Sequence, residues 1–431
     1  VHSRKFRARR ERERMSGREL FVSGRSGSLS PVLALCAALA ALAGLAGCSP
    51  SGGERAPLVA ASPGGATVAA VPTTPVQSEP LPGGGNHIGT GPVQVGLILP
   101  LTANGAPSVV GVSLRNAAQM ALQDVGQNDI TLTVEDDQST PQGAGAAAQA
   151  ALTAGAKLII GPLFAPSVSA AGQAARAANV PMIAFSTDAS TASPGVYLLS
   201  FLIENYVDRV VDYAAAHGKR SFAALIPNSD YGRVAEAEFM QETARLGVRV
   251  QGVEHYDPGQ ADVAVRRLAS SAAQIDALFI PEQAQAMTAI APLLATNGLA
   301  SPHIKILGTG LWDDARVLGL PALQGAWFAA PDNSGFTRFA AKYRSRFGSD
   351  PTRIATLARD AVALAAALAR THPNDPYSER NLTSPAGFRG IDGVFRFRRN
   401  GLNQRALAVV KIEHGATTTI SPAPRSFAPK A

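Results

Sequence analysis

The sequence predicts an α/β protein built as two doubly wound parallel-sheet lobes. Three observations carry that expectation. Residues 157–188, KLIIGPLFAPSVSAAGQAARAANVPMIAFSTD, read as strand, glycine-bearing loop, helix and strand. Two buried strands joined by a helix belong to a parallel sheet covered on both faces. The same grammar restarts at residue 221 and runs for a similar length, which argues for two sheets in succession over one wide sheet. The chain also has 431 residues, 46% of them hydrophobic, enough for two cores with unstructured extras.

The front of the chain is not part of either lobe. Residues 30–47, SPVLALCAALAALAGLAG, form an apolar run preceded by net positive charge, short for a membrane-spanning helix and suited to a secretion signal. The run ends in Leu45-Ala46-Gly47-Cys48, which resembles the bacterial lipobox. That resemblance implies diacylation of Cys48, removal of residues 1–47, and, with Ser49 in place of Asp, anchoring at the outer membrane. Met15 is an alternative start that would leave residues 1–14 untranslated. Of the net charge of +7, residues 1–14 carry +5 and residues 15–47 a further +1, so the chain from Cys48 onward stands at +1. A nucleic-acid partner therefore finds no support. The only cysteines are Cys36, inside the leader, and Cys48, so the mature chain has no internal disulfide.

Residues 48–91 are rich in Pro, Gly, Ser, Ala and Thr and read as a disordered tether. A first buried strand follows at Val93–Leu99, then a helix over 110–125 and a strand over 130–134. Thr140-Pro141 reads as an N-cap with proline in the first turn of a helix to 154. Strands at 158–160 and 181–185 flank a helix over 166–178, residues 196–201 add an edge strand, and a helix over 204–217 closes the first series. The second series has strands at 221–226, 248–253, 275–280 and 304–307, with helices at 231–246, 261–273 and 284–296 between them. After a strand at 325–329 come helices at 336–347 and 354–370. Strands at 394–398 and 405–412 bracket Asn400-Gly401, a hairpin signal. Residues 414–431 read as a loose tail.

Several short segments now stand in a telling order: VGLILPLT (95–102), Asp136-Asp137, IIGP (159–162), VPMI (180–183), SDYG (229–232), IDALFI (275–280) and LGTGLW (307–312). Together they resemble the type I periplasmic-binding proteins of the leucine-binding kind, over residues 92–413. The resemblance implies two lobes, one of about 92–203 plus a later return segment and one of about 204–330. Three crossings at a hinge would join them around a cleft that closes on a ligand. Relatives that carry amino acids grip the ammonium and carboxylate with fixed groups. Here the expected hydroxyl falls at Ala165 or Pro166 with Ser167 behind it, the terminal Thr position carries Asp188, and the expected acid falls at Gly310. Gly161-Pro162-Leu163 and the PEQA turn at 281–284 are similar to LpoA-type activators of penicillin-binding proteins, which are outer-membrane lipoproteins. The helical N-terminal domain of some such activators has no counterpart here.

In a doubly wound sheet, ligands bind beyond the carboxyl ends of the strands, which selects loops 161–167 and 186–188. Asp188 would face the cleft or cap the turn after it. Ser167, Ser186 and Thr187 share these loops and would donate to a ligand or satisfy local backbone. Tyr231 and Trp312 follow strands of the second series, as a cleft wall or as core. Glu282 would take a ligand's ammonium or favour a helix N-terminus. The seven histidines have no metal-ligand spacing, and no nucleophile, phosphate-loop or dinucleotide motif is present, so neither enzyme, metal nor other cofactor is expected. Two functions remain. One is a penicillin-binding protein activator that regulates peptidoglycan synthesis. The alternative is the substrate-binding component of an ABC transporter for branched-chain amino acids or small amides, with the permease as partner.

Overall fold

The computed structural model describes residues 86–427. The expected leader, the lipidation site Cys48 and most of the expected tether lie outside the described residues. Description begins at Asn86, inside the stretch expected to be tether, because the short strand β1 (His87–Ile88) pairs antiparallel with the edge of the first sheet.

The first body continues through β2 (Val93–Leu99), the small hairpin β3 (Thr102–Ala103) and β4 (Ala106–Pro107), α1 (Val109–Val125), β5 (Ile130–Asp136), α2 (Pro141–Thr153), β6 (Leu158–Ile160), α3 (Ala165–Ala177), β7 (Met182–Ala184) and β8 (Val196–Leu198). Its sheet runs β1-β5-β2-β6-β7-β8, parallel except for β1. Both faces are covered, and β2 shows why its sequence is continuously apolar. Val95, Leu97 and Leu99 join the cluster under α1, while Ile98 joins the cluster under α2 and α3. Gly96 permits the second contact, since a Cβ there would lie 2.6 Å from the Ala151 Cβ. Thr140 caps α2 as expected, its Oγ1 accepting from Gly143 N at 3.0 Å.

The second body contains α4 (Ile203–Ala216), β9 (Ser221–Pro227), α5 (Asp230–Leu246), β10 (Arg249–Tyr256), α6 (Ala261–Ala269), β11 (Ala277–Phe279), α7 (Ala284–Thr296), β12 (Lys305–Gly308), α8 (Ala315–Leu318) and β13 (Trp327–Ala330). The chain then returns to the first body. Helices α9 (Asn333–Phe347) and α10 (Ala355–Thr371) place Phe339, Tyr343, Leu357 and Val362 in clusters shared with α1. The short α11 (Glu379–Leu382) leads to a separate small sheet of β14 (Phe388–Gly390), β15 (Gly393–Phe397) and β16 (Asn403–Arg405). Finally β17 (Ala408–Glu413) and β18 (Ala416–Ser421) complete the second sheet, β10-β9-β11-β12-β13-β17-β18, with the last two strands antiparallel.

Two expectations need correcting. The strand expected over 405–412 is two strands in different sheets, because the pairing of β16 with β15 ends at Arg405 and Leu407 is already buried in the second body's core. The tail after His414 is not loose throughout: residues 416–421 pair with β17, satisfying backbone groups that an edge strand would leave to water. Beyond β18 the chain doubles back, and Phe427 lies under the Arg396 guanidinium, 4.7 Å from its carbon to the ring centroid.

The chain thus crosses between bodies three times, near residues 199–202, 331–332 and 406–407. The first and third crossings are bonded to each other out of water. Asn205 Nδ2 donates to Asn403 Oδ1 at 3.1 Å, Asn403 Nδ2 donates to the Ser200 carbonyl at 2.8 Å, and Arg405 Nε donates to the same carbonyl at 2.9 Å.

The hairpin turn at Gly401 docks on β8, where Leu198 N donates to the Gly401 carbonyl at 2.8 Å. Its φ is +88°, and a Cβ would lie 2.2 Å from the Val196 carbonyl oxygen. Gly401→Ala is expected to cost more than about 2 kcal/mol. Gly218→Ala, at a similar φ of +85° with open space around it, should cost about 1 kcal/mol. Urea unfolding midpoints of the two variants measure the difference.

Candidate functional site

The carboxyl ends of the parallel strands carry the loops at 100–108, 137–140, 161–164 and 185–191 in the first body, and those at 228–229, 257–260, 280–283 and 309–314 in the second. The first crossing feeds α4 between them, so the start of α4 meets both sets. The Tyr206 ring packs on Gly310, where a Cβ would lie 2.5 Å from the ring. Glu204, in the first turn of the same helix, feels the charge of Asp188 from the first body, and Tyr231 from the second body feels Glu204.

The sequence-selected residues divide on inspection. Asp188 does what a cap does: Oδ1 accepts from Ser190 N at 2.9 Å and from the Ser190 hydroxyl at 2.7 Å, while the residue stays exposed at the cleft. Ser186 is buried and its Oγ accepts from Asp188 N at 3.0 Å, and Thr187 is exposed beside it. Ser167 is buried in the first turn of α3 and not offered to solvent. Tyr231 donates to Thr309 Oγ1 at 2.8 Å, and burial pushes its hydroxyl well above the ordinary tyrosine value.

Glu282 and Trp312 serve the fold. The Tyr256 hydroxyl donates to Glu282 Oε2 and Gln283 N donates to Oε1 at 2.6 Å, so both carboxylate oxygens are engaged and α7 gains a charge at its start. Trp312 is fully buried in the second body's core, edge-on to Phe328 at 6.4 Å, in space that exists because residue 308 is glycine.

Glu204 was missed. Its Oε2 is buried with no hydrogen-bond partner among the described residues. Burial foremost, then the neighbouring Asp208 and Asp188, raise its carboxyl above the usual range, against Arg398 and a bond from its own amide. An acid in the first turn of the helix expected over 204–217 was the available signal. Tyr206, raised to about 12 chiefly by burial, was missed with it.

The two aspartates at the end of β5, Asp136 and Asp137, are structural. Asp136 Oδ1 accepts from Leu101 N at 3.0 Å and Thr102 N at 3.1 Å, which fastens the loop after β2. Asp137 is fully buried; Oδ1 accepts from Ser139 N at 2.7 Å, while Oδ2 has no partner among the described residues. Burial foremost, with Asp136 adding, pushes its carboxyl up to about 6.

Among the described residues, no group of three or more His, Cys, Asp or Glu is placed to hold a metal ion, and no helix is long and apolar enough to cross a membrane.

Two outcomes follow. Trp312→Ala should destabilise the chain by about 3–5 kcal/mol in urea unfolding, where a residue serving only as a cleft wall would change stability by under about 0.5 kcal/mol. For Asp137 the native chain holds the proton more tightly than the unfolded one, whose value is near 3.8. The penalty of ionising it is therefore absent at low pH and grows as pH rises from about 4 to about 6. Asp137→Asn should remove that part of the pH dependence, about 1–3 kcal/mol, in melting curves taken between pH 4 and pH 8.

A family model described as periplasmic binding protein matches residues 92–417. A solved structure from Rhodospirillum rubrum, described as a candidate branched-chain amino acid ABC transporter, superposes with a TM-score of 0.67 at 18% identity, covering 76% of this chain and 99% of that one. A solute-binding protein of an ABC transporter from Rhodopseudomonas palustris BisB5, in complex with 3,4-dihydroxybenzoic acid, does so with a TM-score of 0.53 at 22% identity, covering 77% and 96%. A curated relative, the uncharacterized protein RP748 of Rickettsia prowazekii (strain Madrid E), is 23% identical over 182 residues, 42% of this chain. The chain spans about half the length of that relative, 48%. The chain belongs to the periplasmic binding protein family.

Proposed function

We propose that this periplasmic binding protein captures a small polar solute in the cleft between its two bodies and hands it to an ABC permease. The observation that carries the reading is Glu204. A buried carboxylate oxygen without a donor among the described residues, at the helix start where the two bodies meet, is costly unless something arrives to pair with it. An ammonium or amide N–H of the solute is that donor, with Asp188 adding negative charge from the first body. Tyr206 and Tyr231 provide aromatic surface beside it.

Of the two functions the sequence left open, transport receives the support. The R. rubrum and R. palustris structures are both ABC transporter proteins, one linked to branched-chain amino acids and one holding an aromatic acid. Their ligands differ, and the residues expected to clamp a free amino acid are replaced here, so the solute class follows from this chain's own cleft. Anchoring through lipid on Cys48 would keep the protein at a membrane facing the periplasm.

The test is a thermal-shift screen of the chain from residue 49 against amino acids, amides and small carboxylates. A solute at a hundred times its dissociation constant stabilises the native state by about 2.7 kcal/mol, which raises the melting temperature by a few degrees. Glu204→Gln should weaken binding of that solute tenfold or more while leaving the unliganded melting temperature equal or higher. A screen with no shift, together with retention of a penicillin-binding protein in a pull-down, would overturn solute capture in favour of the activator.

A further inference from the structure

Beside the three crossings, the segment after β18 makes a fourth link between the bodies. It begins on the second body. Ser421 ends β18, where it pairs with Val409, and its Oγ accepts from Arg209 Nη2 at 2.6 Å. Arg209 Nε in turn donates to the Leu407 carbonyl at 2.8 Å, so α4, the third crossing and the end of β18 are fastened together. The segment finishes on the first body. The Phe427 ring lies under the Arg396 guanidinium, in space left by Gly387, where a Cβ would lie 2.9 Å from the ring. Arg396 is itself held: Nε donates to Gln404 Oε1 at 2.9 Å and Nη1 to the Pro385 carbonyl at 3.1 Å. This platform is β15 and β16, and Phe395 and Phe397 of β15 belong to the first body's core.

Between its ends the segment is stiff. Pro422 and Pro424 lock their own φ, and each keeps the residue before it, Ser421 or Ala423, out of the helical region. A proline-rich run of this kind is extended, at about 3.1 Å per residue, and acts as a semi-rigid spacer. A cavity of about 520 Å³ is lined both by Pro424, Ser426 and Phe427 and by Asn205, Arg405 and Leu407 near the crossings. The far half of the segment is thus set apart from the crossings. A turn of one body against the other about the crossings alters the span from Ser421 to Phe427, and a stiff segment held at both ends opposes that change.

The two ends are fastened unequally. Ser421 has strand pairing and Arg209, whereas among the described residues no hydrogen bond joins residues 422–427 to the rest of the chain. The ring contacts of Phe427 hold the far end.

We propose that residues 422–427 are a strap that restricts the turning of the two bodies about the crossings, with Phe427 as its releasable end. The inference goes beyond solute capture and does not depend on it.

The experiment is double electron–electron resonance on the full chain without added solute. Cys36 and Cys48 are the only cysteines, so Cys36→Ser and Cys48→Ser leave none to compete with two introduced labelling sites. Gln149→Cys on α2 of the first body and Ala289→Cys on α7 of the second are both exposed and outside the strap. The expected result is a narrow distance distribution between the labels in this parent. Phe427→Ala and a chain ending at Ser421 should each broaden or shift it, and Phe427→Trp, which keeps a ring for Arg396, should preserve it. Melting curves establish that each variant is folded. Should the shortened chain fail to fold, Phe427→Ala decides alone. A distribution in folded Phe427→Ala that matches the parent's would overturn the strap, as would one in the folded shortened chain.

Discussion

The bond network between the first and third crossings is the constraint on which the rest depends. Ser200, Asn205, Asn403 and Arg405 come from segments some 200 residues apart, and the Asn205 and Asn403 side chains, the Arg405 amide and its Nε bond across them out of water. Breaking one of these bonds would leave a buried amide or guanidinium unpaired, which costs more than the bond itself contributes. The two crossings are thereby held to each other. The start of α4 is positioned by this unit, and with it both Glu204 and Tyr206.

The cleft is electrically uneven. Glu204 and Asp188 make one side acidic, and a buried Glu204 oxygen has no hydrogen-bond donor among the described residues. At the hinge Arg353 and Arg405 lie over Phe201, and buried atoms of both guanidiniums and of Asp392 have no hydrogen-bond partner among the described residues. Polar atoms so placed are costly to leave unpaired. The aspartates at the end of β5, Asp136 half-buried and Asp137 buried, show another use of acids. They fasten loops, and the penalty of ionising Asp137 is borne by the fold.

Much of the architecture was legible because it follows from local pattern. Apolar runs marked the parallel strands, Thr140-Pro141 marked a helix start, and Asn400-Gly401 marked a hairpin turn. The failures came where one stretch of pattern serves two partners. Residues 405–412 read as one strand, yet the chain passes between bodies at 406–407. Residues 416–421 looked loose by composition, and only the exposed edge of β17 makes them a strand.

The sequence by itself determined the order of strands and helices, their division into two series, and the loops in which a site should lie, since periodicity and turn chemistry are properties of neighbouring residues. Tertiary structure decided which polar groups are left over. Glu282, read as a ligand contact or a helix start, is engaged by Tyr256 and the Gln283 amide, and Trp312, read as cleft wall or core, is core. Glu204 and Arg353 looked ordinary and proved to have atoms without hydrogen-bond partners among the described residues. Whether a donor or acceptor is satisfied depends on groups hundreds of residues away along the chain and a few ångströms away in space, and only the fold brings those together.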